Sequence, residues 1–254
     1  MILAIDVGNT NIVIGTADRD KIYFIERIST NRKKSDLEYM IDIHNILEDH
    51  GISKQDIEGS VMSSVVPQIN NYLTRAVERI LGKKPLLVGP GIKTGIEIAT
   101  DNPAATGADR VADVVAACAE YPLPLVTIDM GTATTITVVD KDRRLIGGLI
   151  LPGVKISMNA LTTEASQLSG ISLEAPKKLL GTNTKDAMKR GIINGTAVML
   201  DGIIDRIEAE MGSPVTVVAT GGMSNRIIPY TNHGIIHDDN LLLKGLYILY
   251  DMNK

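Results

Sequence analysis

Two aspartates stand in the same local setting. Asp6 ends the apolar run Ile2-Leu-Ala-Ile5 and is followed by Gly8-Asn9-Thr10, and Asp129 ends Leu123-Pro-Leu-Val-Thr-Ile128 and is followed by Gly131-Thr132-Ala133-Thr134. A carboxylate at the end of a buried strand is costly unless it meets a cation or hydrogen-bond donors, so each aspartate invites Mg²⁺ or a monovalent ion. Gly and Asn tolerate positive φ, and consecutive amides in that conformation form a concavity suited to phosphate oxygens. Two such turns around one polyphosphate would supply positioning and charge neutralisation, which is most of what phosphoryl transfer requires. Taken singly, either turn also reads as an ordinary tight hairpin.

Gly107-Ala108-Asp109-Arg110 places a carboxylate beside a guanidinium at the start of a helical run. The plain structural reading is a helix N-cap aspartate followed by a solvated arginine. Gly221-Gly222, after the apolar strand Val215–Thr220, suits close approach of a ligand such as the adenosine end of a nucleotide. Gly89-Pro-Gly-Ile-Lys-Thr94 lacks the four residues between glycines, and the lysine directly after the second, that a P-loop needs; it reads as a connection.

Other function classes find little support. Cys118 is the single cysteine and sits in Val114-Val-Ala-Ala-Cys-Ala119, so a buried thiol in a reducing, cytoplasmic setting is expected. His44, His50, His233 and His237 show no zinc spacing. A net charge of −4 and 3% aromatic residues give no basic surface or stacking platform for nucleic acid. No apolar run reaches the roughly 18–20 residues that span a bilayer, and the chain opens on a strand, so a soluble protein with no membrane or secretion segment is expected.

The elements that must position these groups alternate. The first hairpin and Lys21–Ile28 read as three antiparallel strands, and Ser35-Asp-Leu-Glu38 is a capping box opening an amphipathic helix that ends near Gly51. A strand at Glu58–Val65, a helix from Pro67 to Leu81 and a short strand at Pro85–Val88 follow, with a further helix over Asp109–Glu120. The pattern then repeats: strand, Asp-x-Gly turn, strand, and Leu145–Leu151 as a third strand, with Ile5-Asp-Val-Gly-Asn-Thr10 matching Ile128-Asp-Met-Gly-Thr-Ala133 at an offset of 123 residues. Pro152 opens a helix. The longest periodic segment, Thr184 to Met211, has Thr184 as a good N-cap on sequence grounds. Gly191 and Gly195 each cost that helix about 1 kcal/mol relative to Ala, so close packing against another element is expected there. A last helix from Asp239 to Tyr250 is expected to complete the second half.

Together Asp6-x-Gly-Asn-Thr10, Gly107-Ala-Asp-Arg110, Asp129-x-Gly-Thr-Ala-Thr-Thr135, Gly147-Gly148 with Pro152-Gly153, and Thr220-Gly-Gly222 resemble type III pantothenate kinase. That family is a branch of the actin, sugar kinase and Hsp70 ATPase superfamily, and the similarity covers nearly the whole chain. The resemblance implies two duplicated ribonuclease H-like, actin-like ATPase domains, here 1–115 and 116–254, each an α/β unit with a mixed five-stranded sheet flanked by helices. It implies ATP-dependent phosphorylation of the terminal hydroxyl of pantothenate, the first step of coenzyme A synthesis. Asp6, Val7, Gly8, Asn9, Thr10, Asn11, Ile12 and Val13 would form the first ATP phosphate loop, with Asp6 acting on Mg²⁺ through water. Asp109 would be the general base, and Arg110 would pair with the pantothenate carboxylate. Gly107 and Ala108 would contact substrate through backbone. Asp129 would bind K⁺ or NH₄⁺, Thr132 would touch ATP phosphate, and Thr184 would reach pantothenate from the partner subunit of a homodimer whose active site lies near the interface.

One departure stands out: where family members often carry Tyr before the acidic-Asn-Pro segment, Thr100 precedes Asp101-Asn102-Pro103. A Tyr-lined wall is absent or supplied elsewhere, which keeps open a superfamily kinase for another small alcohol. A regulatory reading also stands beside the kinase, because relatives have been labelled Bvg accessory factors and transcriptional activators. The acidic charge and the missing helix-turn-helix signature weigh against direct DNA contact.

Overall fold

The computed structural model describes residues 1–164 and 178–254. The chain divides into two compact units, the first made of 1–119 with 240–254 and the second of 120–239. In the first unit β1 (Ile2–Val7), β2 (Asn11–Ala17) and β3 (Ile22–Ser29) form the expected antiparallel meander, and β4 (Gly59–Ser64) adds to β1 in parallel. With β5 (Leu86–Leu87) on β4, the sheet order is β3-β2-β1-β4-β5. A two-residue strand, β6 (Glu97–Ile98), follows in the same unit.

β1 reads as a continuous apolar run because both its faces are covered. Leu3, Ile5 and Val7 pack with Tyr39 and Ile43 of α1 (Asp36–Asp49) and with Ile69 and Leu73 of α2 (Pro67–Leu81). Ile2 and Ala4 meet Val111 and Ala112 of α3 (Ala108–Glu120) and Leu243, Leu246 and Leu249 of the C-terminal helix. The period of two thus assigns alternate residues of one strand to two helical layers. α1 opens on the expected capping box: the Ser35 N–H and hydroxyl each donate to Glu38 Oε2 at 2.8 Å.

The second unit repeats this plan. β7 (Leu125–Met130), β8 (Ala133–Val139) and β9 (Arg144–Pro152) are antiparallel neighbours, β10 (Thr216–Thr220) joins β7 in parallel, and β11 (Ile235–His237) joins β10 in parallel, giving the order β11-β10-β7-β8-β9. β1 and β7 share both length and burial residue for residue, with only the aspartate half-exposed in the interior of each. The duplication is not a rigid copy. Asp6 faces Val13 and Asp129 faces Thr135, so the offset falls from 123 before the turn to 122 after it, and the second turn is one residue shorter. The core under β7 is built with Val154 of α4 (Val154–Glu164), Ile193, Ala197, Leu200 and Ile204 of α5 (Thr184–Met211), and Ile227 of the single-turn α6 (Ser224–Ile227).

Three expectations need correction. The last helix, α7 (Leu241–Asn253), belongs to the first unit, and the chain crosses between units after Ala119 instead of at 115/116. The reason is a close helix crossing: a Cβ on Gly245 would overlap the Ala112 carbonyl oxygen. The N-cap of α5 is Asn183, whose Oδ1 accepts from Asp186 N–H at 2.9 Å; Thr184 is the first helical residue. Gly191 and Gly195 have no close neighbour in the chain, since a Cβ at either, or at Gly202, would meet no atom within 4 Å among the described residues.

Candidate active site

Asp6 lies at the C-terminal end of β1 opposite Ser63 of parallel β4, and the Ser63 hydroxyl donates to Asp6 Oδ1 at 2.6 Å. The turn that follows is closed by Gly8 N–H donating to Asn11 O at 3.0 Å. It is braced by the residues after β3, with Thr30 Oγ1 donating to Gly8 O at 2.6 Å, Thr30 N–H to Thr10 O at 3.0 Å, and Arg32 Nη2 to Asn9 Oδ1 at 3.2 Å. Asn9, Thr10 and Asn11 face solvent, whereas Val7 and Ile12 are 0% exposed. Val7 and Ile12 therefore offer a ligand nothing but backbone. Arg32 brings a positive charge to the turn.

Asp109 is the second residue of α3, not its N-cap, and Val111 N–H donates to Gly107 O at 3.1 Å to open the helix. Asp109 Oδ1 accepts from Arg110 N–H at 2.8 Å, and its other oxygen makes no hydrogen bond among the described residues. Gly107 leaves room for this carboxylate: a Cβ there would sit 2.5 Å from Asp109 Oδ1. Arg110 is half-buried, and burial lowers its pKa from the ordinary guanidinium range, an effect the Asp109 carboxylate opposes. A guanidinium stays charged at neutral pH. Just upstream, Thr100 Oγ1 and Thr106 Oγ1 stand 3.4 Å apart across the segment that contains Asp101-Asn102-Pro103.

In the second unit Asp129 ends β7 between Thr135 of β8 and Thr220 of β10. The backbone after β10 crosses directly over it. Gly221 has φ of +90°, and a Cβ there would overlap Asp129 Oδ1 and sit 2.6 Å from Met130 N, so this turn admits glycine alone. Met223 N–H donates to Met130 O at 3.3 Å, joining the two loops. Thr132 is exposed on the turn between β7 and β8, and Gly153, just before α4, packs so closely against the Thr132 carbonyl that a Cβ would overlap it. Ser224 Oγ donates to Gly221 O at 2.6 Å and lies 2.8 Å from His237 Nε2, which is 3.0 Å from Asp239 Oδ1. No sequence spacing pointed to these last three residues. Thr184 is exposed at the start of α5.

Asp205, Glu208 and His233 also gather where their donor atoms lie within 4.8 Å of one another. His233 Nε2 is 2.9 Å from Asp205 Oδ1, and Glu208 accepts from Val215 N–H at 3.0 Å, so a hydrogen-bonded anchor of two loops to α5 accounts for the grouping. A groove of about 600 Å³ lined by Met40, His44, Leu47 and Arg79 contains none of the candidate residues. No helix among the described residues is long and apolar enough to cross a membrane.

A sequence model of the type III pantothenate kinase family matches residues 2–206. The type III pantothenate kinase of Exiguobacterium sp. strain AT1b is 42% identical over 255 residues, covering 100% of both chains. Among solved structures, a Baf family transcriptional activator from Campylobacter jejuni aligns over 98% of each chain with a TM-score of 0.61 and 17% identity. The ROK hexokinase of Thermus thermophilus aligns over 98% of this chain and 97% of its own, with a TM-score of 0.52 and 12% identity. At such identities the structural likeness speaks to the fold, which is the duplicated α/β architecture of the actin-like sugar kinases.

Proposed function

The chain belongs to the type III pantothenate kinase family, and from that membership we propose how its residues carry out the family's reaction. The protein phosphorylates pantothenate with ATP at the entry to coenzyme A biosynthesis. Asp109 acts as general base: the terminal hydroxyl oxygen of pantothenate forms a bond to the γ-phosphorus, the bond from that phosphorus to the β–γ bridging oxygen breaks, ADP leaves, and the hydroxyl proton passes to the carboxylate. The observation that carries this assignment is the carboxylate at the start of α3, oriented by Arg110 N–H, given space by Gly107, and left with a second oxygen to receive a proton. Arg110, next along the helix, pairs its planar fork with the pantothenate carboxylate, and Gly107 and Ala108 contact substrate through backbone.

The braced turn from Asp6 to Val13 holds ATP phosphates through backbone amides, with Arg32 adding positive charge and Thr132 a hydroxyl. The donors at both aspartates are oxygens, which suits hard cations. Asp6 would hold a divalent ion, Mg²⁺ by this reading, which would supply neutralisation of the developing phosphate charge, and Asp129 would hold K⁺ or NH₄⁺. Asp6 would reach the divalent ion through water, and the Ser63 hydroxyl fixes the carboxylate's rotamer.

Homodimerisation completes the proposal. Gly191, Gly195, Val198 and Gly202 lie on one face of α5, no atom of the described residues approaches a Cβ at these glycines, and Val198 is 65% exposed, so the face suits a second copy of the helix. Thr184, on the exposed start of α5, then reaches pantothenate in the partner subunit. A cytoplasmic setting accords with the buried thiol of Cys118.

The deciding experiment follows ADP release with pantothenate and a panel of sugars, with and without potassium. Pantothenate-dependent turnover that rises with potassium is expected. Turnover with a sugar and none with pantothenate would shift the reading to another alcohol, a possibility that Thr100 raises.

A further inference from the structure

The C-terminal edge of the parallel strands β7, β10 and β11 carries Asp129, Thr220 and His237, and in open α/β sheets this edge is where ligands bind. A line of polar groups runs inward from it. His237 is partly exposed, Ser224 is 0% exposed, and the Ser224 hydroxyl ends on the carbonyl of Gly221, whose backbone crosses Asp129.

Proton counting fixes the roles. A serine hydroxyl has one proton, and Ser224 gives it to Gly221 O at 2.6 Å. The 2.8 Å contact between Ser224 Oγ and His237 Nε2 must then be donated by the imidazole, which assigns the proton to Nε2. Asp239 Oδ1, 3.0 Å from that nitrogen, is a second acceptor that keeps it there. The arrangement is not a nucleophilic triad, because the serine and the carboxylate share one ring nitrogen and the serine is sealed from solvent. Without a proton on Nε2, Ser224 is free to turn its own proton to the ring, which leaves the Gly221 carbonyl with the Ser224 N–H at 3.1 Å alone.

We propose that His237 is a positioning residue for the nucleotide: through Ser224 it clamps the Gly221 carbonyl and so sets the Gly221-Gly222 turn against Asp129 in the form that receives ATP. This rests on the reading of that turn as part of the nucleotide site. The clamp acts on nucleotide binding and leaves the transfer step to other groups.

The test uses the full-length enzyme with Ser224→Ala, His237→Leu and His237→Gln, the last of which returns an N–H donor near the Nε2 position. The readouts are the KM for ATP, the KM for pantothenate, kcat, and the dissociation constant for ADP by calorimetric titration. Loss of one buried hydrogen bond corresponds to an increase of about tenfold in the ATP KM and the ADP dissociation constant for Ser224→Ala and His237→Leu. Both kcat and the pantothenate KM should stay within about twofold, and the double variant should be no worse than either single one. His237→Gln should restore near wild-type nucleotide affinity. Unchanged ADP affinity in Ser224→Ala overturns the proposal, as does His237→Gln behaving like His237→Leu, which would mean that ring packing alone matters. Should the leucine variant fail to fold, Ser224→Ala decides by the same readout. A wild-type protein that binds ADP yet turns over no pantothenate removes the substrate reading and leaves this test intact.

Discussion

Asp109 and Arg110 are adjacent, yet their expected defects separate. Asp109→Asn keeps an oxygen to accept from Arg110 N–H, so the start of α3 is preserved while the proton acceptor is lost. A fall in kcat of roughly 10²- to 10⁴-fold, with little change in the ATP KM, is the expected result of steady-state assays. An unchanged kcat would remove the base assignment. Arg110→Lys keeps the charge and loses the fork, so the pantothenate KM should rise about 10- to 100-fold while ATP binding is spared. Both residues were legible as neighbours in the sequence because their relation is local. Ser63 on Asp6, Arg32 on Asn9 and His237 on Ser224 were not, because each pair is made by strand register or loop packing, which no spacing along the chain encodes.

Helix ends were read with mixed success, for a physical reason. Ser35 and Glu38 form a reciprocal pair within one turn, so the box could be recognised from the residues alone. Hydrogen bonds from the Ser35 N–H and then from its hydroxyl lower the Glu38 pKa below 4.5. A carboxylate whose folded pKa is depressed stabilises above its unfolded value and loses that contribution as pH falls through the folded one. Ser35→Ala should therefore lower the melting temperature at neutral pH, and the gap to wild type should narrow in acid, below the ordinary glutamate range, to the part owed to Glu38 N–H donating to the Ser35 hydroxyl. At α5, Asn183 and Thr184 are both good caps and neither sequence position excludes the other; the choice was made by Asp186 N–H. Where α7 crosses α3 the surprise was larger. Gly245 sits inside a helix with no local reason to be glycine, and only the Ala112 carbonyl explains it. Gly245→Ala should destabilise the protein by about 1–3 kcal/mol in urea unfolding, as overpacking of a close crossing does.

At the scale of the whole molecule the duplication was visible because strand, aspartate and turn recur together, and the matched burial of β1 and β7 shows that the repeat extends to packing. The membership of the last helix was hidden, since an apolar helix fits either repeat and nothing in its sequence names its partner. The exposed face of α5 leads to a further expectation. Val198→Asp should convert a dimer into monomers in light scattering and reduce pantothenate turnover, while the melting temperature stays close to wild type because Val198 is 65% exposed in the single chain. A variant that remains dimeric would place the interface elsewhere. The return of 240–254 to the first unit also bears on biosynthesis. Ile2, Ala4 and Val61 are made early, but Leu243, Leu246 and Leu249, which cover them together with Val111 and Ala112 of α3, are made only after the whole second unit. At about 5–20 residues per second, one face of the first sheet waits on the order of ten seconds on the ribosome while the contiguous second unit has all its own strands in hand. The nascent chain should therefore mature in the reverse of its written order, and its earliest-made sheet is the one left exposed to chaperones during that interval.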